Sequence, residues 1–260
     1  MDSRNRPFVI FVLFVIGMMS TSTASANQFR ALLVTKTDGW HHEAIADAVP
    51  AIRGLAAKHQ FEVVWEENVD LVFTEEGLAN FDVILFVLTT GNILNPEQQK
   101  LMEDFIRSGK GFVGVHSASD TEYEWPWYTQ LVGRMFRIHP LIQTAELEVI
   151  DRTFPGLERM PDRFGFTDEY YEFGEEMSDG LNYILTIDEN TYDPVADWGQ
   201  VAGDGMGAFH PLAWYQAFDG GRSFYTALGH LPAVYSDELF LEHLYGGIYW
   251  AATGKGIRTR

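Results

Sequence analysis

Two short runs in this chain, Phe81–Leu88 and Gly111–Val115, are apolar at almost every position, and a single helix-forming stretch separates them. A strand whose two alternating sets of side chains are both hydrophobic must be covered on both faces, so these runs read as parallel strands sandwiched between helices. The stretch between them opens with Asn95-Pro96-Glu97-Gln98, which supplies an N-cap, a first-turn proline and a capping-box partner, and Gly109 ends it. Upstream, Phe29–Thr35 and Phe61–Trp65 read as strands. Between them His42–His59 reads as a helix, because Ile45, Val49, Ile52 and Ala56 recur at helical spacing. A β-α-β-α-β order of this kind requires right-handed crossovers and places helices on both sides of a parallel sheet.

The second half is less regular. Glu146–Ile150, Tyr183–Ile187, Ala213–Ala217 and Ser223–Ala227 read as strands between long loops rich in Asp, Gly and Pro. Ser236-Asp237-Glu238 starts a last helix, whose Leu241, Leu244, Tyr245, Ile248 and Tyr249 form an apolar face expected to dock on the sheet. No repeat, linker or low-complexity tract interrupts residues 27–260, which read as one domain. Residues 1–26 read as an export signal: Arg4 and Arg6 precede the apolar core Phe8–Met19, and Ala24-Ser25-Ala26 predicts cleavage after Ala26. The mature chain is therefore expected outside the cytoplasm, periplasmic or extracellular, with no membrane attachment after cleavage. There is no cysteine to carry a lipid, a disulfide or a thiolate nucleophile. With 18 basic against 37 acidic side chains, the chain lacks the positive footprint that nucleic acid or an anionic membrane requires. A small molecule is the expected ligand, and a second copy of the chain is the protein partner left open.

In an open α/β sheet the ligand crevice lies beyond the carboxyl ends of the strands, so polar residues at those points are the candidates for chemistry. His42 follows the first strand, in Gly39-Trp40-His41-His42; adjacent side chains diverge, so one of the two histidines is expected to face a site. His116 and Asp120 follow Gly111–Val115, and His230 follows Ser223–Ala227. His139-Pro140 and Asp168-Glu169-Tyr170-Tyr171 add an imidazole, carboxylates and aromatic rings. Each has an ordinary alternative. A lone histidine after a strand is commonly a satisfied structural residue, Asp120 could cap the segment after it, and His-Pro can merely shape a turn.

Taken together and in order, these residues resemble the ThuA-like (trehalose utilisation) family, related in fold to class I glutamine amidotransferases. The resemblance spans about Arg30 to Gly254. It rests on Gly39-Trp40-His41-His42, Gly114-Val115-His116-Ser117-Ala118 with Asp120, Gly133, Phe136, His139-Pro140, Asp168-Glu169-Tyr170, Trp214, and Gly221-Arg222 through Gly229-His230. It implies a flavodoxin-like, three-layer α/β sandwich with a mostly parallel central sheet. It also implies that His116 stands where an amidotransferase keeps its nucleophile, so a thioester route is lost. Where relatives carry a further His-Pro this chain has Phe154-Pro155, and no role of that histidine carries over.

The function expected from these residues is an enzyme acting on a sugar or keto-sugar derivative by hydrolysis, elimination or isomerisation. His116, His42, His230, Asp120 and Glu169 are the acid–base candidates, and Trp40, His139, Tyr170, Trp214 and Arg222 the substrate contacts. Two alternatives stay open. In one, His42, His116 and His230 hold a divalent, zinc-like ion, the one cofactor considered, although no local ligand signature such as His-Glu-x-x-His is present. In the other, the aromatic residues, with Trp125 and Trp127 among them, make a carbohydrate-binding module without catalysis.

Overall fold

The computed structural model describes residues 27–258; the expected export signal lies outside the described residues. Its first half follows the alternation read above. Strands β1 (Arg30–Val34), β2 (Glu62–Glu66), β3 (Val83–Val87) and β4 (Gly111–Val115) alternate with helices α1 (Ile45–His59), α2 (Glu75–Ala79) and α3 (Pro96–Arg107). The α3 start is built as its sequence requires: Asn95 Oδ1 accepts from the Gln98 amide at 2.9 Å, and Gln98 Oε1 accepts from the Asn95 amide at 2.9 Å. Helix α1 begins three residues later than its periodicity suggested, which leaves His42 in the preceding loop.

Helix α4 (Pro126–Val132) leads into β5 (Arg134–Ile138), followed by β6 (Gln143–Val149), β7 (Arg163–Asp168), β8 (Glu172–Met177) and β9 (Asn182–Asp188). A two-residue pair, β10 (Ala196–Asp197) and β11 (Ala202–Gly203), precedes the long strands β12 (His210–Phe218) and β13 (Gly221–Thr226), and α5 (Glu238–Thr253) closes the fold. Nine strands form one sheet in the order β2-β1-β3-β4-β13-β12-β9-β6-β7, while β5 and β8 pair separately. The sheet is parallel from β2 to β13 and antiparallel from β13 to β7. Strands β5, β7 and β8 went unread in the sequence because their side chains are only partly buried. On β7, for example, exposed and half-buried residues alternate up to the buried Asp168.

Two helical layers cover the parallel half. Phe86 and Phe112 point to the α4 side, where their ring centroids lie 6.0 and 5.9 Å from Tyr128. The opposite face carries α1 and α5, which meet where His59 stacks on Tyr245 at 3.6 Å. The buried face of α5 is rotated from the expected one. It consists of Phe240, His243, Leu244, Gly246, Gly247, Ile248, Trp250 and Ala251, while Leu241, Tyr245 and Tyr249 are only half-buried. The rotation follows from the Gly246-Gly247 pair. A Cβ on Gly247 would sit 2.2 Å from the Phe224 ring and one on Gly246 2.1 Å from the Pro155 carbonyl, so this glycine edge is where the helix approaches closest. Among the described residues no helix is long and apolar enough to cross a membrane.

His243 lies inside this contact, wholly buried, with Nε2 3.2 Å from Thr226 Oγ1 and no hydrogen-bond partner for Nδ1. Burial alone pushes its pKa down to about 4. Below the unfolded value of about 6.5 the unfolded chain takes a proton that the folded chain refuses. Stability should therefore be complete above that value and decline as pH falls toward 4, by roughly 3 kcal/mol from this group. Urea melts from pH 7.5 to 4 check this, and His243→Leu should flatten the decline.

Candidate active site

Three histidines arrive from three strand ends. The loop after β1 carries His42, β4 ends directly at His116, and the loop after β13 carries His230. The ring centroids lie 5.2 Å apart for His42 and His116, 5.3 Å for His42 and His230, and 5.1 Å for His116 and His230. His116 turns the chain sharply out of the strand with φ of 51°, a left-handed conformation that costs a non-glycine residue of the order of 1 kcal/mol. Its carbonyl is held by the Tyr225 hydroxyl at 2.7 Å, and its Nδ1 lies 2.7 Å from the Ala227 carbonyl. A carbonyl can only accept, so Nδ1 carries the proton and Nε2 presents a lone pair toward His230 Nδ1, 3.1 Å away.

Glu169 joins these rings. Its Oε1 is 3.4 Å from His116 Nε2 and 3.2 Å from His230 Nδ1, and its Oε2 is 3.3 Å from His139 Nδ1. Burial alone would push this carboxyl up, but the adjoining imidazoles of His116 and His230 overcome it and hold it well below the usual carboxylate range. His230 shows the reciprocal effect: burial opposes its charge, yet the hydrogen bond and charge of Glu169 raise its pKa. His42 goes the other way. Burial, then the charges of His116 and His230, lower it to about 3, so it stays neutral.

The loop carrying His230 is fixed by Asp168, the last residue of β7. Its wholly buried carboxylate accepts from the amides of Gly229 at 2.7 Å, His230 at 3.1 Å and Leu231 at 3.2 Å. Burial raises the pKa of this group while His116 and the backbone donors pull it back. Asp120 lines the same cavity, with the Tyr123 hydroxyl donating to Oδ1 at 2.8 Å, and burial raises its pKa as well. Asp120 does not cap α4, whose N-cap position is Trp125.

His42, Asp120, His139, Glu169 and His230 line a cavity of about 470 Å³ together with Trp40, Phe136, Tyr171 and Trp198. Trp40 and Trp198 stand at its mouth, 72% and 52% exposed. The fold thus brings together most of the residues read from the sequence. His116 is the exception in kind: it has no exposed surface and sits behind His42, His230 and the Tyr171 ring, 4.2 Å away, so it reaches a ligand only through them. His41 points outward and lies 3.2 Å from Thr37 Oγ1, which leaves His42 as the inward member of the pair.

Three expected substrate contacts lie elsewhere. The Tyr170 ring is buried with its hydroxyl donating to the Phe166 carbonyl. Trp214 is core, its indole N–H donating to the Val132 carbonyl at 2.8 Å. Arg222 donates to the carbonyls of Ala251 at 2.8 Å and Ala252 at 3.3 Å, satisfying the last turn of α5. Trp125 and Trp127 stack on each other at 5.1 Å, outside the cavity lining. Tyr171, named among the aromatic rings, does line the cavity, whereas Phe136, Trp198 and the Asp168 clamp carry no site role in the sequence reading. Phe136 and Asp168 stood within quoted motifs, but Trp198 sits in an irregular loop that no periodicity marks.

A mixed, partly parallel sheet between helical layers, with a polar cavity beyond its strand ends, has the architecture of the class I glutamine amidotransferase-like fold. The profile of the ThuA family, described as trehalose utilisation, matches residues 30–251, and the chain belongs to that family. Among solved structures, a putative ThuA-like protein from Bacteroides uniformis superposes with a TM-score of 0.73 at 18% identity, covering 89% of this chain and 94% of that one. One from Parabacteroides merdae gives 0.67 at 18% identity, covering 89% and 92%. A β-galactosidase from Bacillus circulans sp. alkalophilus gives 0.53 at 12% identity, with 84% of this chain matching 30% of that one. These identities speak to the fold alone. Among curated proteins none matches the chain in sequence.

Asn in place of Asp168 turns an amide N–H toward one of the three backbone donors and removes the charge. Asp168→Asn should therefore lower the unfolding free energy by about 2 kcal/mol. A shifted denaturant midpoint at unchanged slope is the measurement that checks it.

Proposed function

We propose that this protein is an enzyme acting on a sugar or keto-sugar derivative held between Trp40 and Trp198. The observation that carries the reading is one cavity with aromatic walls in which an ionised carboxylate, Glu169, lies within 3.2–3.4 Å of three imidazoles. A pyranose has apolar C–H faces and a polar rim, so aromatic rings at the mouth and convergent polar groups below match it. Two exposed tryptophans at the mouth of a cavity contribute little to a core, and the family is described by the use of a disaccharide. The expectation of export rests on the sequence of residues 1–26 and adds that the substrate is met outside the cytoplasm.

The roles follow from access. His116 does not reach the cavity, so direct proton transfer falls to the groups that line it. Asp120, a half-buried carboxyl with a raised pKa, is suited to take a proton from carbon beside a ketone, or to give one to a leaving oxygen. The imidazoles and Glu169, which line the same cavity, polarise the substrate's carbonyl or hydroxyl. Hydrolysis, elimination and isomerisation of a keto-sugar all need this pair of actions, a proton-transfer group together with a polarising one.

A panel of oxidised and unoxidised disaccharides, followed by mass spectrometry, tests the reading. Turnover is expected with at least one oxidised member. Asp120→Asn should lower kcat by a factor of about 100 to 10,000 while sugar affinity stays within a few-fold. Trp198→Ala should act mainly on KM. Sugar binding without turnover by the unsubstituted protein would overturn catalysis in favour of a binding module, and wild-type kcat in Asp120→Asn would remove that residue from the mechanism.

A further inference from the structure

We infer that His42, His116 and His230 hold one divalent transition-metal ion, with Glu169 completing the donor set and the cavity side left open for a ligand. The inference deepens the preceding reading of the pocket but is measured without any substrate. One nitrogen from each histidine lies within 4.8 Å of the others, although the three residues come from separate strand ends. Around an ion bound at about 2.0–2.1 Å, tetrahedral donors lie about 3.3 Å apart. His116 Nε2, His230 Nδ1 and Glu169 Oε1 form a triangle with sides of 3.1, 3.4 and 3.2 Å.

Proton accounting points the same way. The Ala227 carbonyl fixes the proton of His116 on Nδ1, so Nε2 is an acceptor, and the Glu169 oxygen beside it is an acceptor too. One proton on His230 Nδ1 cannot serve both fully, whereas a cation at the centre satisfies every lone pair at once. The supporting contacts have the form found around bound metals: a carbonyl orients the inner histidine from behind, and the Asp168 clamp fixes the backbone of His230. His42 and His230 also line the cavity, so the ligand space adjoins the ion and a ligand there would add as a fifth donor, the expansion known for catalytic sites. Three imidazoles and a carboxylate suit zinc, cobalt, manganese or iron and disfavour calcium and magnesium. The acidic group Glu146, Glu148 and Asp188 offers a contrast, because all three carboxylates already pair with Arg163.

The test uses tag-free protein stripped with a chelator, titrated with Zn²⁺ by calorimetry and with Co²⁺ by visible absorption. One ion per chain is expected, with a rise in melting temperature. His42→Ala and His230→Ala should each weaken binding by about 100-fold or more, and Glu169→Gln by about 10-fold. His41→Ala, on the exposed neighbour, should bind as the unsubstituted protein does. Melts of the metal-free variants establish that each is folded; if His42→Ala is not, the more accessible His230→Ala carries the result. No ion above background, or equal binding by folded His230→Ala, overturns the inference. A bound ion without sugar turnover leaves the site standing and sinks the enzyme reading; turnover by protein that binds no ion does the reverse.

Discussion

The Asp168 carboxylate, receiving three consecutive backbone N–H groups from residues 229–231, is the contact on which the site depends. It joins two distant parts of the fold. Strand β7 is the far antiparallel edge of the sheet, while residues 229–231 follow β13, at the end of its parallel half. Without that tie the next residue, Glu169, would have no reason to lie against imidazoles from β4 and β13. A buried carboxylate is costly to desolvate, and three donors from one loop are what make it tolerable.

Around that tie the electrostatics divide the labour among chemically similar groups. Glu169 is held ionised and His230 is drawn toward its charged form, while burial and the neighbouring imidazoles keep His42 neutral. Asp120 is pushed the opposite way from Glu169 because desolvation outweighs the Tyr123 hydrogen bond and the more remote charges of His116 and His139. Two carboxylates in one cavity with displaced affinities for protons are the pattern expected where one stabilises charge and the other moves a proton. The chain carrying this arrangement belongs to the ThuA family, and it contains no cysteine that could supply a thiolate.

Much of this was legible in the chain. The apolar runs at 81–88 and 111–115, the capping box at Asn95 and the breaks after them place β3, α3 and β4, because each is a local pattern. Since strand ends are where polar residues can gather, His42, His116, His230 and Asp120 could be named with no knowledge of how they meet, and Glu169 from its place among carboxylates and aromatic rings. Trp214 and Arg222 could not be sorted the same way. An indole that seals a core against the Val132 carbonyl and one that walls a pocket have the same composition, and an arginine that caps α5 reads like one that binds a ligand. Edge strands β5, β7 and β8 escaped because partial burial leaves a weak alternation.

What the sequence determined by itself is therefore the local grammar: which segments are strands buried on two faces, where helices start and stop, and that polar side chains wait at the turns between them. Tertiary structure alone decided that His41 faces water while His42 faces in, that His116 lies behind the pocket rather than in it, and that Trp198 stands at its mouth. The physical reason is range. Propensity and periodicity act over a few residues, whereas access, tautomer and charge in this site are set by atoms from positions as distant in the chain as 42, 116, 169 and 230.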